Sequence, residues 1–411
     1  MKSKKAIAAA VAIAALALTA CSSPAATTAP TADSSDPFNV LYVGGITGPF
    51  ASLVVTELQG MNIAIDQINE DGGILGREVV LETLDSKGDP TEAVSVLQKR
   101  LSSGDKPDLV RAGLSSTEAL AMMPVVTRAG IASYSNSNTP LLDDPKTYPY
   151  NKQISAKNLR QIQLASTYIG SQKIKNLAVL AAEDASGDGV VESTKEIYKG
   201  TGINVEYFRY NPADIDLSVA YQRAIGGSPD AVYSDCLGAP CVRLIAARTS
   251  VKGGTDIPMV GGVSMAGAAG GPAASNTAEA IENLHIVLFD VHLKRDAADQ
   301  TPEFKAFYKA LIKDGTPTAM STPSVTFDGL KMYAAAAEHA KSTDPAKMVK
   351  AINDIEWAPG AFVTYGNAAV DYTADSNYPT LPDNAFAVVQ AGPLVGGQYE
   401  PLDLFQPKVK K

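Results

Sequence analysis

At 411 residues the chain is longer than one hydrophobic core usually serves, so two domains are expected. Its 44 acidic against 35 basic residues give a formal net charge of -9. With no cluster of Lys or Arg, nothing would neutralise a phosphate backbone, which excludes nucleic acid as a partner.

Lys2, Lys4 and Lys5 precede an apolar run over residues 6–18, which ends in Leu18-Thr19-Ala20-Cys21. That order predicts a bacterial export signal over residues 1–21 whose last residue, Cys21, becomes lipidated. The mature chain is then expected to be extracytoplasmic, anchored by acyl chains to the outer face of the cell membrane. The run is shorter than the roughly 20 apolar residues that a spanning helix needs. Residues 22–37, rich in Ser, Thr, Ala and Pro, read as a flexible tether that cannot form a core. The folded part is expected from Phe38, with residues 407–411 as a tail.

From there one unit repeats. A β-rich run over 40–46 leads through a turn at Gly48-Pro49 into a helix with apolar residues at Leu53, Leu58, Met61, Ile65 and Ile68. A strand at 79–84, a helix at 90–101, a strand at 109–110, a helix at 117–127 and a strand at 131–134 follow. Short apolar strands alternating with amphipathic helices predict an α/β fold with parallel sheets covered on both faces. The pattern restarts after Pro149, with helices at 158–168, 189–198, 217–225 and 240–248 and strands at 177–181, 205–210, 231–233 and 258–260. Residues 261–275 are rich in Gly, Ala and Ser and suit a mobile or closely approached loop. A strand at 284–289, helices at 303–312, 324–339 and 345–352, and short edge strands at 362–365, 386–390 and 398–402 complete the chain. If the late helices return to the first sheet, the chain crosses between domains more than once, and such crossings act together as a hinge.

Catalytic motifs are lacking. Gly44-Gly45-Ile46-Thr47-Gly48 follows a strand but has neither the spacing nor the acidic partner of a dinucleotide loop. Ser186, in Asp184-Ala185-Ser186-Gly187-Asp188-Gly189, has no histidine in its motif to act as base. No enzymatic activity and no cofactor are expected. His285, His292 and His339 lack a ligand pattern, so no metal site is expected either. Cys236 and Cys241 remain as an even pair in oxidising surroundings, where a disulfide is the expectation against two buried thiols.

Loops at the carboxyl ends of the strands suit binding better. Ser115 and Ser116 open a helix, where hydroxyls and free amides can hold a carboxylate or simply cap the helix. Ser135-Asn136-Ser137-Asn138-Thr139-Pro140 is dense in donors and acceptors, and reads either as a polar rim or as a surface loop satisfying its own backbone. Phe50 either covers an apolar part of a ligand or packs between loops.

Gly48-Pro49-Phe50, Gly60-Met61-Asn62-Ile63-Ala64, Ile68-Asn69-Glu70-Asp71-Gly72-Gly73-Ile74-Leu75-Gly76-Arg77 and Asp85-Ser86-Lys87-Gly88-Asp89-Pro90, with Ser115-Ser116-Thr117 and Ser137-Asn138-Thr139-Pro140 beyond, carry a likeness. In these stretches the chain resembles the extracytoplasmic solute-binding proteins of ABC importers, specifically the branched-chain amino acid type. The resemblance implies the periplasmic binding protein type I fold, two Rossmann-like lobes with three crossings and a ligand cleft between them. The lobes would be 38–151 with 291–357, and 152–290 with 358–406.

By the same resemblance, Ser115, Ser116, Ser137 and Thr139 grip the ligand carboxylate, with Asn138 or Thr139 taking the threonine role. Family members that bind amino acids hold the ammonium with a tyrosine, a second aromatic and a glutamate. Those positions fall on Ser186, Leu237 and Val263 here. A desolvated cation without an acceptor is costly, so a free α-amino acid is not the expected ligand. A small carboxylate or amide with an apolar or aromatic body is expected. The alternatives are an amino acid or amine, with Asp184 or Glu183 capping the cation, or a ligand sensor on the same fold. The implied partners are a small-molecule solute and the membrane permease of an ABC importer, with the protein itself a monomer.

Overall fold

The structure, a computed structural model, describes residues 36–270, 278–315 and 320–406. The export signal with Cys21, residues 22–35 of the tether, residues 271–277 of the Gly-rich loop and the tail 407–411 lie outside the described residues.

The first half alternates strand and helix: β1 (Phe38–Gly44), α1 (Ala51–Glu70), β2 (Val79–Asp85), α2 (Pro90–Ser102), β3 (Leu109–Ala112), α3 (Ser116–Ala129), β4 (Ala132–Ser135) and β5 (Asn151–Gln153). These strands form one parallel sheet in the order β2-β1-β3-β4-β5. β1, β3 and β4 are buried on both faces, as strands in the middle of a sheet covered on both sides must be.

A second set follows: α4 (Asn158–Ser171), β6 (Asn176–Ala182), α5 (Ala185–Tyr198), β7 (Asn204–Tyr210), α6 (Ser218–Ile225), β8 (Ala231–Asp235), α7 (Ala239–Ser250), β9 (Met259–Gly261), α8 (Ala266–Gly270) and β10 (Leu284–Phe289). Then come α9 (Pro302–Leu311), α10 (Ser321–Ala340), α11 (Pro345–Asp354), β11 (Phe386–Gln390), β12 (Leu394–Val395) and β13 (Gln398–Tyr399). The second sheet runs β11-β10-β9-β8-β6-β7, parallel except where β11 returns antiparallel to β10. α10 packs back on the first sheet: Thr326 Oγ1 donates to the Glu57 carbonyl of α1 at 2.8 Å, and the Tyr333 hydroxyl to the Ser133 carbonyl of β4 at 2.6 Å. The chain thus passes between two α/β lobes three times, after β5, after β10 and before β11.

Several expectations change. The described part of the expected loop over 261–275 is a 3-10 turn, Val263–Met265, running into α8, with Met265 N turned back to the Gly262 carbonyl at 3.0 Å. Residues 362–365 are a turn, not an edge strand, because Asp328 of α10 accepts the Val363 and Thr364 amides that a neighbouring strand would otherwise take. The strand expected at 398–402 is only Gln398–Tyr399. β1 ends at Gly44 rather than 46, since Ile46 N turns back to the Gly44 carbonyl at 2.8 Å.

The stretch from Asn69 to Arg77 does structural work. The Asn69 side chain pairs with both backbone groups of Val79, at 2.8 and 3.0 Å, acting as an extra strand residue on edge strand β2. Gly73 has φ 80°, and a Cβ there would lie 2.1 Å from the Arg77 carbonyl oxygen. Arg77 then forks onto Asp108 at 2.8 and 2.9 Å. Asn69→Ala removes two hydrogen bonds and is expected to cost about 2 kcal/mol in urea unfolding. An unchanged midpoint would show that water replaces the side chain.

Candidate functional site

In the first sheet β1 lies between β2 and β3, and in the second β6 lies between β7 and β8. Each is a point where strand order reverses, and in such sheets ligands bind beyond the carboxyl ends of the strands there. The loops from both points line a single cavity of about 480 Å³, within the roughly 300–1,000 Å³ of small-molecule sites. From the first lobe come Phe50 and Leu53 after β1, and Ser115 to Thr117 after β3. From the second come Asp184 and Ser186 after β6, and Asp235 to Leu237 after β8.

The Ser115–Ser116 loop is held from beneath. Arg111, fully buried, donates to the Gly113 carbonyl and to Glu57, and Tyr42 closes on the same carboxylate at 2.6 Å. Ser115 is the N-cap of α3 in a reciprocal capping box with Glu118, so its hydroxyl accepts from the Glu118 amide at 3.2 Å and donates to the carboxylate at 3.0 Å. Ser116 is less committed. It donates to Asn138 Oδ1 at 3.2 Å and accepts from the Ser137 hydroxyl at 3.0 Å.

Of the ten residues expected at the ligand, eight line the cavity: Phe50, Ser115, Ser116, Asn138, Asp184, Ser186, Leu237 and Val263. Ser137 and Thr139 do not. Ser137 lies behind Ser116, while Thr139 caps a 3-10 turn through Leu141 N at 3.4 Å and takes the Tyr378 hydroxyl on its carbonyl at 2.6 Å. Of the two residues weighed for the threonine position, Asn138 is therefore the one at the cavity. Its Oδ1 also accepts from Ser186 at 3.3 Å, a hydrogen bond from the first turn of α5 in the second lobe to a loop of the first.

Phe50 bridges the lobes as well. Gly238 has φ 66°, and a Cβ there would lie 3.2 Å from Cδ1 of Phe50; one at Gly88 would lie 2.9 Å from its Cδ2. Phe50 thus packs between loops and lines the cavity at once. Cys236 and Cys241 form a disulfide with Cα atoms 5.2 Å apart, tying the end of β8 to α7 across Leu237.

The second-lobe wall carries two carboxylates, Asp184 and Asp235, and one arginine, Arg243. Asp184 caps α5, accepting the Gly187 amide at 2.8 Å. Asp235 is 6% exposed, and burial pushes its carboxyl up to about 6 against hydrogen bonds from Cys236 and Ser264. Asp235 and Tyr210 were not among the expected residues, although each ends a strand, the position from which a side chain reaches such a cleft. Apolar Leu53, Leu114 and Phe289, which also line the cavity, carried no signal beyond ordinary core periodicity. His292 is buried and accepts the Ser321 amide at 3.2 Å, and His285 meets Asp403 at 2.9 Å. Among the described residues no group of His, Cys, Asp and Glu is placed to hold a metal ion.

The chain is 26% identical over 350 residues to the Leu/Ile/Val-binding protein BraC3 of Rhizobium johnstonii, covering 81% of this chain and 88% of that one. Among solved structures it is similar to a leucine-binding protein LivK of Thermotoga maritima, with a TM-score of 0.71, 18% identity and coverage of 90% of this chain and 98% of that chain. It is also similar to a solute-binding protein of an R. palustris ABC transporter in complex with 4-hydroxybenzoate, with a TM-score of 0.74, 16% identity and coverage of 91% and 96%. At such identities the solved structures speak for the fold. A family model for periplasmic binding proteins matches residues 37–382, a span that takes in the first sheet, all of the second except β11, and every residue lining the cavity. The chain belongs to the periplasmic binding protein family.

Proposed function

We propose that this protein is the lipid-anchored, extracytoplasmic receptor of an ABC importer, and that it captures a small carboxylate or amide with an apolar or aromatic body. Membership of a family of binding proteins makes it a solute receptor rather than an enzyme. One observation carries the reading: strand-order reversals of both sheets converge on one cavity. Ser116, Asn138 and the amides at the start of α3 supply a grip for an acceptor-rich head group. Phe50, Leu53, Leu114, Leu237, Val263 and Phe289 supply apolar surface for the body, at about 25 cal/mol per Å² buried before ordering costs.

In the proposed mechanism the lobes are 38–151 with 291–357 and 152–290 with 358–406. Ligand contacts to both favour a closed form, the one a permease recognises. Cys21 would keep the monomeric carrier at the membrane. A second reading, an amino acid or amine, is favoured by Asp184 and Asp235 on the second wall.

A thermal-shift titration of the purified protein tests the choice. Benzoate, 4-hydroxybenzoate and short acyl amides are expected to stabilise it, by about 2.7 kcal/mol at one hundred times Kd. Ser116→Ala is expected to weaken binding about tenfold. Stabilisation by leucine-like amino acids alone would overturn the carboxylate reading in favour of the second.

A further inference from the structure

Tyr210, the last residue of β7, is 2% exposed and lines the cavity, and its hydroxyl has no hydrogen-bond partner within the described protein. A buried hydroxyl left unpaired is costly, and native proteins leave few. Asp184 and Asp235, which also line the cavity, both act on it electrostatically.

The Asp235 carboxylate is built in with care. It accepts the Cys236 amide at 3.1 Å, together with the amide and the hydroxyl of Ser264. Gly262 leaves room for it, since a Cβ there would lie 2.3 Å from its Cγ. A carboxylate offers about four acceptor sites, so these three donors leave it short of one. Among the described residues no cation forms a salt bridge with Asp184 or Asp235. Arg243, which also lines the cavity, donates to the Pro212 and Asp214 carbonyls at 3.4 and 2.8 Å, so the unpaired phenol and the remaining acceptor site of Asp235 are still open to a donor.

We infer that Tyr210 and Asp235 form a second polar pole of the cavity, which takes a hydrogen-bond-donating group, a hydroxyl or an ammonium, at the end of the solute remote from its carboxylate. The solute's donor hydrogen goes to Asp235. Where the group is a hydroxyl, its oxygen accepts from Tyr210; where it is an ammonium, the Tyr210 oxygen accepts as well. The two poles then fix the orientation of the solute: acceptor-rich head toward Ser116 and Asn138, donor end toward Tyr210. This inference rests on the reading of the cavity as a solute site.

Calorimetric titration of the purified protein with two matched pairs of acids tests it. One pair is 3-phenylpropanoate and 3-(4-hydroxyphenyl)propanoate; the other is 3-phenylpropanoate and 3-[4-(aminomethyl)phenyl]propanoate. At least one donor-bearing acid is expected to bind about tenfold tighter than its parent, and which one does so separates hydroxyl from ammonium. In Tyr210→Phe the advantage is expected to shrink to about threefold or less. Asp235→Asn, checked for folding by its melting curve, should reduce it likewise. Equal binding of parent and donor-bearing acids to the natural protein overturns the inference alone, as does an advantage that survives both substitutions. Failure of all three acids to bind overturns it together with the carboxylate reading beneath it.

Discussion

Arg111→Met lowers the unfolding free energy by about 3–5 kcal/mol, the usual cost of stripping one partner from a buried ion pair. Arg111 and Glu57 are both fully buried and ion-paired. The guanidinium lies over the rings of Tyr42 and Tyr134, at 5.9 and 5.6 Å from their centroids. Burial raises the Glu57 carboxyl, and Arg111 is the main force opposing that rise. Without it the carboxyl takes up a proton or stays charged and uncompensated, and the Gly113 carbonyl loses its donor. The double change Glu57→Leu with Arg111→Met is expected to recover most of the loss, because two apolar side chains leave no buried charge. Chemical denaturation of the three proteins checks this. A single-variant cost below about 1 kcal/mol would mean that the pair is solvated and does not hold the Ser115–Ser116 loop.

What could be read from the residues depended on what buried them. β1, β6 and β10 carry runs of apolar side chains and are visible as strands. β5, Asn-Lys-Gln, is equally buried and invisible. Its side chains are held one by one: Asn151 and Gln153 each accept from a serine of β4, Ser133 and Ser135, and Lys152 donates to the carbonyls of Thr373 and Ser376. Residues 362–365 erred the other way, since Phe-Val-Thr-Tyr has the composition of a strand while its partner is a helix side chain. The stretch that most strongly marks the family, Asn69 to Arg77, pins an edge strand far from the cavity, so it identified the fold without identifying a ligand. In the Ser137-Asn138-Thr139 loop the chemistry was legible but the register was not. Three consecutive polar residues each found a partner, and only Asn138 faced inward. Asp235 and Tyr210 needed the sheet order, because a strand's last residue matters only once its neighbours place it beside a reversal.

Asp328→Ala is expected to cost about 2–5 kcal/mol, because it leaves two buried amides unpaired at about 1–3 kcal/mol each. Asp328 lies in α10, 2% exposed, and accepts the Val363 and Thr364 amides at 2.9 and 2.8 Å. Thr364 also donates to Ser324 at 3.0 Å, and Tyr365 donates to the Ile154 carbonyl. These contacts tie the third passage between lobes to α10 and to the first passage. Burial lifts the Asp328 carboxyl to about 7, against the pull of those amides. The sign follows from linkage: between the unfolded value near 3.8 and about 7 the folded protein binds the extra proton. The group's contribution is therefore fully present below the unfolded value and is lost as pH rises through about 7. His292, lowered by burial to about 3, works oppositely: its contribution is present above about 6.5 and is lost as pH falls. Asp328→Asn keeps one acceptor oxygen and removes the titration. Its stability deficit relative to the natural protein is thus expected to be larger near pH 5 than near pH 7.5, by on the order of 2 kcal/mol. Urea unfolding of both proteins at the two pH values decides it. A deficit independent of pH would mean that the carboxylate stays ionised, its charge held by the two amides alone.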